Sequence, residues 1–319
     1  MAAAPLVTRT RSELAEALAA APAPRATVMT MGALHEGHLD LVREAARRVG
    51  AGGTVVVTIF VNPLQFAPSE DLDTYPRDLG HDVTLLTGAA QETGVGRLVV
   101  FAPTPDVMYP GGDPTVRVDP GPMATVLEGA TRPTHFAGVC QVVLKLLQLT
   151  RPDWALFGRK DAQQLAVVRA MVRDLDVPVE IVPVEIRREA DGLAMSSRNA
   201  YLSVAEREHA LALSRSLALG RAAAERGMAA TQVLAATRSA LEGAEGVELD
   251  YVALVDPDGF VDLTGDGPGL PAVRAGDGDG AGPGHGDGTG GAARQGLLAL
   301  AARVGSTRLI DNTLVDLAD

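Results

Sequence analysis

The first half of the chain alternates between two spacings of apolar residues. Runs of strand length ("ATVMTM", "GTVVVTIFV", "RLVVFAP", "DWALFG" and "VEIVPVEI") are separated by stretches in which apolar positions recur every three or four residues. "GHLDLVREAARRV" puts Leu39, Val42, Ala46 and Val49 near one face of a helix, and "RDLGHDVTLLTGAA", "HFAGVCQVVLKLLQL" and "DAQQLAVVRAMVRDL" read the same way. The β-branched run in "GTVVVTIFV" is too dense for a strand wetted on one side, so it predicts burial on both faces. Strand and helix in repetition predict a Rossmann-like α/β fold, a parallel sheet with helices on both faces, over residues 1–186.

Past residue 186 the pattern changes. "SVAEREHALALSRSLALGRAAAERG" and "ATQVLAATRSALEGA" are helical, the first opened by Ser203 with Glu206 three residues later, a capping-box spacing. "VELDYVALVD", "GLLALAARVG" and "STRLIDNTLVDL" read as strands, so residues 187–319 predict a smaller C-terminal α+β lid domain. Inside it, residues 276–291, "GDGDGAGPGHGDGTGG", hold nine glycines in sixteen positions. Asp277, Asp279 and Asp287 there fit neither an EF-hand loop nor a nine-residue β-helix repeat, and the composition predicts a disordered insertion over about 264–296.

Composition narrows the function. A formal charge of −12 argues against broad attraction to nucleic acid or anionic membrane, although a few local cations can still hold a small anion. Aromatic residues make up 3%, leaving Leu, Val and Ala to supply most packing. The single cysteine, Cys140, excludes an intrachain disulfide and any multi-thiolate zinc site, and its apolar surroundings predict a buried structural thiol. The N-terminal stretch has no basic start followed by an apolar core, and no run approaches membrane-spanning length, so a cytoplasmic protein is expected.

Four polar clusters fall at strand-to-helix exits or just after the last strand. In "TMGALHEGH", His35 and His38 stand three apart where a strand gives way to a helix. The zincin pattern needs an i, i+4 spacing, and no third ligand is evident, so phosphate binding at a helix start is the stronger reading. "GLAMSSRNAYLS" gathers Ser196, Ser197 and Arg198, hydroxyls and a guanidinium suited to oxyanions. "FGRKDAQQL" places Lys160, Asp161 and Gln164 at the carboxyl end of a strand, where open α/β sheets bind ligands. "FVNPLQF" brings Asn62 and Gln65 from the same edge, amides suited to a ligand with hydroxyl and carboxylate groups. Together these predict a nucleotide site.

"TMGALHEGH", "IFVNPLQF", "RPTHFAGV", "KLLQLTRPDWALFG", "KDAQQL", "READGLAMSSRNAYLS" and "STRLIDN" resemble the pantothenate synthetase (pantoate–β-alanine ligase) family of HIGH- and KMSKS-type nucleotidyltransferases. The resemblance implies ATP-dependent condensation of pantoate with β-alanine through a pantoyl adenylate. It implies ATP contacts from Met31, Gly32, His35, Gly37, His38, Gly158, Arg159, Lys160, Asp161, Arg187, Met195, Ser196, Ser197 and Arg198. His38, His35, Lys160 and Arg198 would be catalytic, with His38 a proton donor toward departing pyrophosphate; Gln65 and Gln164, with Asn62, would bind pantoate, and Gln65 would also lie near the incoming amine. No protein metal ligand is expected, Mg²⁺ arriving on ATP oxygens, and a homodimer is implied. Arg159 stands where the family usually has Glu, Ala162 where an aromatic is common, Arg187 where an apolar residue is usual, and Asp82 alone where an acidic pair occurs. A related adenylyltransferase acting on a phosphate acceptor is the second reading. A nucleotide-binding regulator that has lost catalysis is the third, suggested by Arg159 and Ala162.

Overall fold

In the computed structural model, residues 4–67, 72–265, 267–270 and 294–318 are described. The chain divides into two units, one comprising residues up to Glu189 plus Ala194–Asn199, the other Ala190–Leu193 plus the chain from Ala200 onward. The division therefore falls a few residues beyond the expected 186/187, and Ser196–Arg198 belongs to the first unit.

In chain order the first unit contains β1 (Leu6–Thr8), α1 (Arg11–Ala19), β2 (Arg25–Thr30), α2 (Glu36–Val49), β3 (Thr54–Ile59), α3 (Leu79–Thr93) and β4 (Arg97–Phe101). Two single-turn helices follow, α4 (Pro105–Met108) and α5 (Glu128–Thr131), then α6 (His135–Thr150), β5 (Trp154–Gly158), α7 (Ala162–Asp174) and β6 (Glu180–Val184). The six strands form one sheet in the order β1-β4-β3-β2-β5-β6, and every neighbouring pair is parallel. After β2 the chain builds outward through β3 and β4, then returns to add β5 on the other side of β2. That reversal opens a crevice at the carboxyl ends of β2 and β5.

β3 shows why the strands read as unbroken apolar runs. Val56 packs with α1, α6 and α7 through Leu14, Phe136, Val143 and Val168, while Val55 and Val57 pack with α2 and α3 through Val42, Ala46 and Leu86. β1 and α1 carried no prediction from periodicity. α1 nevertheless has its own capping box, Thr10 with Glu13, and three-residue β1 is fixed by pairing with β4.

The second unit holds α8 (Val204–Glu225), α9 (Ala230–Glu242), β7 (Val247–Val255), β8 (Arg294–Val304) and β9 (Thr307–Leu317). The strands form an antiparallel sheet, β7-β8-β9, and α8 and α9 share an apolar core with it through Leu213, Leu217, Val233, Leu254 and Leu298. Ser203 and Glu206 make the expected reciprocal cap of α8. Asp277, Asp279 and Asp287 lie outside the described residues. The described margins of the expected insertion are held in place: the Asp262 carboxylate accepts the N–H of Thr264 and of Gly267, and Arg294–Gly296 already belong to β8.

Candidate active site

At the end of β2 the backbone turns sharply, with Gly32 at φ +87°. The Thr30 hydroxyl donates to the Thr58 carbonyl (2.9 Å) and accepts the Gly32 N–H (3.2 Å). Asp82 of α3, 1% exposed, accepts the Leu34 N–H at 2.8 Å. Burial raises the Asp82 carboxyl above its ordinary range, partly offset by the amides of Leu34 and Ala33. This carboxylate holds the turn that delivers the histidines. Its oxygens are spent on backbone.

His35 caps α2. Its Nδ1 accepts the Gly37 N–H at 3.1 Å, and His38 Nδ1 accepts the His35 N–H at 3.3 Å, a reciprocal box built from two imidazoles. A side chain at position 37 would meet His35 Cε1 at 3.0 Å, which is why glycine stands there. The ring centroids are 4.0 Å apart. Because both Nδ1 atoms are acceptors, the neutral rings carry their protons on Nε2. Desolvation pushes the His38 pKa down to about 3, with His35 and Lys160 adding to the fall, and His35 is lowered by burial and then by Lys160. At neutral pH the helix start thus presents two neutral Nε2–H donors. The Gly37 amide, expected to face a ligand, is already used.

The same cavity, about 250 Å³ and lying within the first unit, is lined by His35, His38, Lys160, Ser196, Ser197 and Arg198. β5 ends at Gly158 and delivers Lys160 and Asp161, whose Nζ and Oδ1 lie 3.9 Å apart. The serine–arginine loop is tied down twice: Met195 N–H donates to the Arg187 carbonyl at 2.9 Å, and Met195 Sδ lies 3.3 Å from the Gly37 nitrogen. Asn199 closes the loop from behind by donating to Glu189 (2.7 Å) and to the Ala194 carbonyl (3.0 Å).

The lining also includes Gln65 and Gln164, with two residues that sequence reasoning had given no role, Arg132 and His135. The Gln65 carbonyl meets His135 Nδ1 at 3.1 Å and an Arg132 Nη2 donor at 3.4 Å, and Arg132 Nη1 lies 3.3 Å from His135 Nε2. The cavity wall carries Arg132, Lys160, Arg187 and Arg198 against Asp161 and Glu185, an excess of cations inside a chain of net charge −12. Among the described residues, no group of three or more His, Cys, Asp or Glu is arranged to hold a metal ion.

Comparison with known proteins fits this geometry. The family described as pantoate-beta-alanine ligase matches residues 6–314. The chain is 50% identical to a pantothenate synthetase of Nocardioides sp. over 318 residues, covering 98% of this chain and 86% of that protein. It is 49% identical to that of Thermobifida fusca, covering 97% and 95%. The chain belongs to the pantoate–β-alanine ligase family. Among solved structures, pantothenate synthetase from Thermus thermophilus superposes with a TM-score of 0.79 at 42% identity, covering 97% of this chain and 98% of that one. A pantoate-beta-alanine ligase from Francisella tularensis, described as complexed with beta-gamma ATP and beta-alanine, gives 0.70 at 27% identity, with 98% of both chains covered.

Within this ligase frame, three expected residues lie outside the cavity lining: Gly32, Asn62 and Arg159. Gly32 shapes the turn. Asn62 is 1% exposed and spends its amide on neighbouring groups. Arg159 Nε lies 2.7 Å from Glu185 Oε1, an ion pair that holds it outside the lining. Arg187 lines the cavity, but its guanidinium is drawn to Asp40 (2.9 Å) and Glu36 (3.8 Å), leaving its carbonyl to hold Met195. Ala162 simply begins α7. Cys140 is fully buried, its thiol pushed up to about 12 by desolvation, as a structural cysteine should be.

Proposed function

We propose that this chain condenses pantoate with β-alanine at the expense of ATP, in two displacements within the one cavity. In the first, a pantoate carboxylate oxygen attacks the α-phosphorus, the α–β phosphoanhydride bond breaks, and pyrophosphate leaves with pantoyl adenylate remaining. In the second, the neutral amine of β-alanine attacks the acyl carbon. The acyl–phosphate bond breaks, a proton leaves the nitrogen, and pantothenate and AMP are released.

The observation that carries this reading is the convergence of the His35–His38 pair, Lys160 and the Ser196–Ser197–Arg198 loop on one cavity at the β2/β5 crevice. His35, His38, Lys160, Ser196, Ser197 and Arg198 take the triphosphate, while Gly158 and Asp161 take the ribose. Gln65 and Gln164 take pantoate. His38 takes the role toward departing pyrophosphate that the resemblance implies, offering its Nε2–H to oxygens gaining charge; burial, His35 and Lys160 favour the neutral ring. No covalent acyl group on the protein is required, since the adenylate is the activated acid. Mg²⁺ would be carried mainly on the triphosphate oxygens and water, as suits a hard ion. Use of ATP as substrate supports action in the cytoplasm. Among the described residues, no helix is long and apolar enough to cross a membrane. The family homodimer is part of this reading and is decided by light scattering.

The test is a steady-state assay for AMP and pantothenate from ATP, pantoate and β-alanine, with pyrophosphate release requiring pantoate. Pyrophosphate release that instead requires a phosphorylated acceptor, or ATP binding without turnover, overturns the proposal.

A further inference from the structure

The hydrogen bonds behind Gln65 form a directed chain. Asn62 is buried, and its amide orientation is fixed twice by backbone: Oδ1 accepts the Leu64 N–H at 3.3 Å, and Nδ2 donates to the Gly138 carbonyl at 3.0 Å. The Tyr109 hydroxyl, 2.9 Å from Oδ1, must therefore donate to it. The second Nδ2 proton points to Gln65 Oε1 at 3.1 Å, which turns that oxygen toward Asn62. Gln65 Nε2 is left toward Met31 Sδ (3.1 Å) and the cavity that both residues line. Neither Tyr109 nor Asn62 lines that cavity.

We propose that Tyr109 and Asn62 are positioning residues that lock the Gln65 amide in one sense, so that Gln65 offers its ligand N–H donors only and selects an acceptor oxygen of the acid substrate. The inference rests on the reading above that pantoate lies beside Gln65.

Close packing enforces the lock. A side chain at Gly138 would lie 2.3 Å from the Leu64 carbonyl oxygen, so only glycine lets α6 bring its carbonyl to Asn62. The Lys145 ammonium sits 5.2 Å from the Tyr109 ring centroid, a cation–π contact that holds the ring. Desolvation pushes the Tyr109 phenol up to about 12, so it keeps its donor proton at every working pH. The consequence is a filter. A carboxylate or hydroxyl oxygen satisfies Gln65, whereas an ammonium group meets the N–H donors, Oε1 being turned toward Asn62. Gln164, whose side chain makes no hydrogen bond among the described residues, remains free to turn its amide either way toward a hydroxyl.

The test is a double-mutant cycle on the full-length enzyme, reading KM for pantoate and for ATP. Tyr109→Phe keeps the ring and deletes the donor, and is expected to raise the pantoate KM about 3- to 10-fold with the ATP KM unchanged. In a Gln65→Ala background, where pantoate binding is already weakened, Tyr109→Phe should add almost nothing, because it acts through that amide. Equal effects of Tyr109→Phe in both backgrounds, or none in either, overturn the lock while leaving pantoate beside Gln65. An unchanged pantoate KM in Gln65→Ala alone overturns the placement of pantoate, and the lock with it. Should Tyr109→Phe not fold, Asn62→Ala decides the same cycle: it removes the donor that holds Gln65 Oε1 and should raise the pantoate KM only when Gln65 is present.

Discussion

Replacing His38 by alanine removes two separable things from the start of α2. One is an Nε2–H donor facing the cavity; the other is the acceptor for the His35 N–H, half of the reciprocal cap. Loss of a cap costs about 1 kcal/mol of stability, which a protein of this size tolerates. Loss of one preorganised donor to charge developing in a transition state costs about 10²–10³ in rate, roughly 3–4 kcal/mol. Desolvation places His38 at the upper end, because it sits in a poorly solvated wall where a hydrogen bond to an anion is strong. Pyrophosphate release in a single turnover with ATP and pantoate, without β-alanine, isolates this step. His38→Ala should slow it at least 10²-fold with the pantoate KM little changed, and His38→Gln, which keeps an N–H donor, should recover part of the loss. The pH profile adds an independent check. A pKa of about 3 keeps the ring neutral, so the rate should stay flat from pH 6 to 8 with respect to His38. A general acid would instead lose rate as pH rises through its pKa. Wild-type pyrophosphate release by His38→Ala, or a rate that falls with pH in wild type and not in His38→Gln, would refute the neutral-donor argument.

Three further outcomes follow from the same structure. Below pH 6.5 the unfolded chain protonates His38 while the folded chain resists until about pH 3. Stability is therefore fully present above 6.5 and falls by up to roughly 1.4 kcal/mol per pH unit beneath it; urea midpoints at pH 7.5 and 5 should show a smaller drop in His38→Ala than in wild type. Gly138→Ala forces a methyl against the Leu64 carbonyl and should destabilise by about 1–3 kcal/mol in denaturant melts and raise the pantoate KM, and an unchanged midpoint would show that α6 does not hold the Asn62–Gln65 turn. Arg159→Ala breaks a pair whose Glu185 partner is 84% exposed, so the ATP KM should change by less than about threefold; a tenfold rise would place the guanidinium on the triphosphate after all.

The elements were legible where burial imposed a clean period. β3 is covered on both faces and reads as unbroken β-branched residues; α2 is covered on one and reads at helical spacing. The location of the site was legible for a topological reason, since loops after parallel strands must gather at one edge. What the chain could not reveal was which way each polar group faces. Asn62 and Gln65 stand in the same short turn, yet one is folded inward against Gly138 and Tyr109, 76 and 47 residues away, and the other lines the cavity. Arg159 and Lys160 are adjacent cations, and only the approach of Glu185 from β6 separates their roles. Arg132 and His135 were quoted within "RPTHFAGV" without a role, because their partner is the carbonyl of Gln65, which no side-chain pattern announces. β1 escaped because a three-residue strand has no period; the Thr10–Glu13 spacing ahead of α1 was a usable signal left unread.

The electrostatics of the cavity favour holding charge over moving protons. Its histidines are kept neutral by burial and by Lys160, His38 also by His35, with their tautomers set by backbone amides. Arg132 is aimed by His135 before any ligand arrives, while the Arg187 guanidinium is turned to Asp40 and leaves the site its carbonyl. A long cationic side chain ordered only on binding would forfeit about 1.5–2 kcal/mol of rotamer entropy, and pre-aiming it removes that cost from the bound state. An acidic chain can therefore take a tetra-anionic nucleotide and an anionic acid into one crevice without a broadly positive surface. The field that matters is set within a few ångströms of the reacting oxygens, by donors whose positions the β2 and β5 exits dictate.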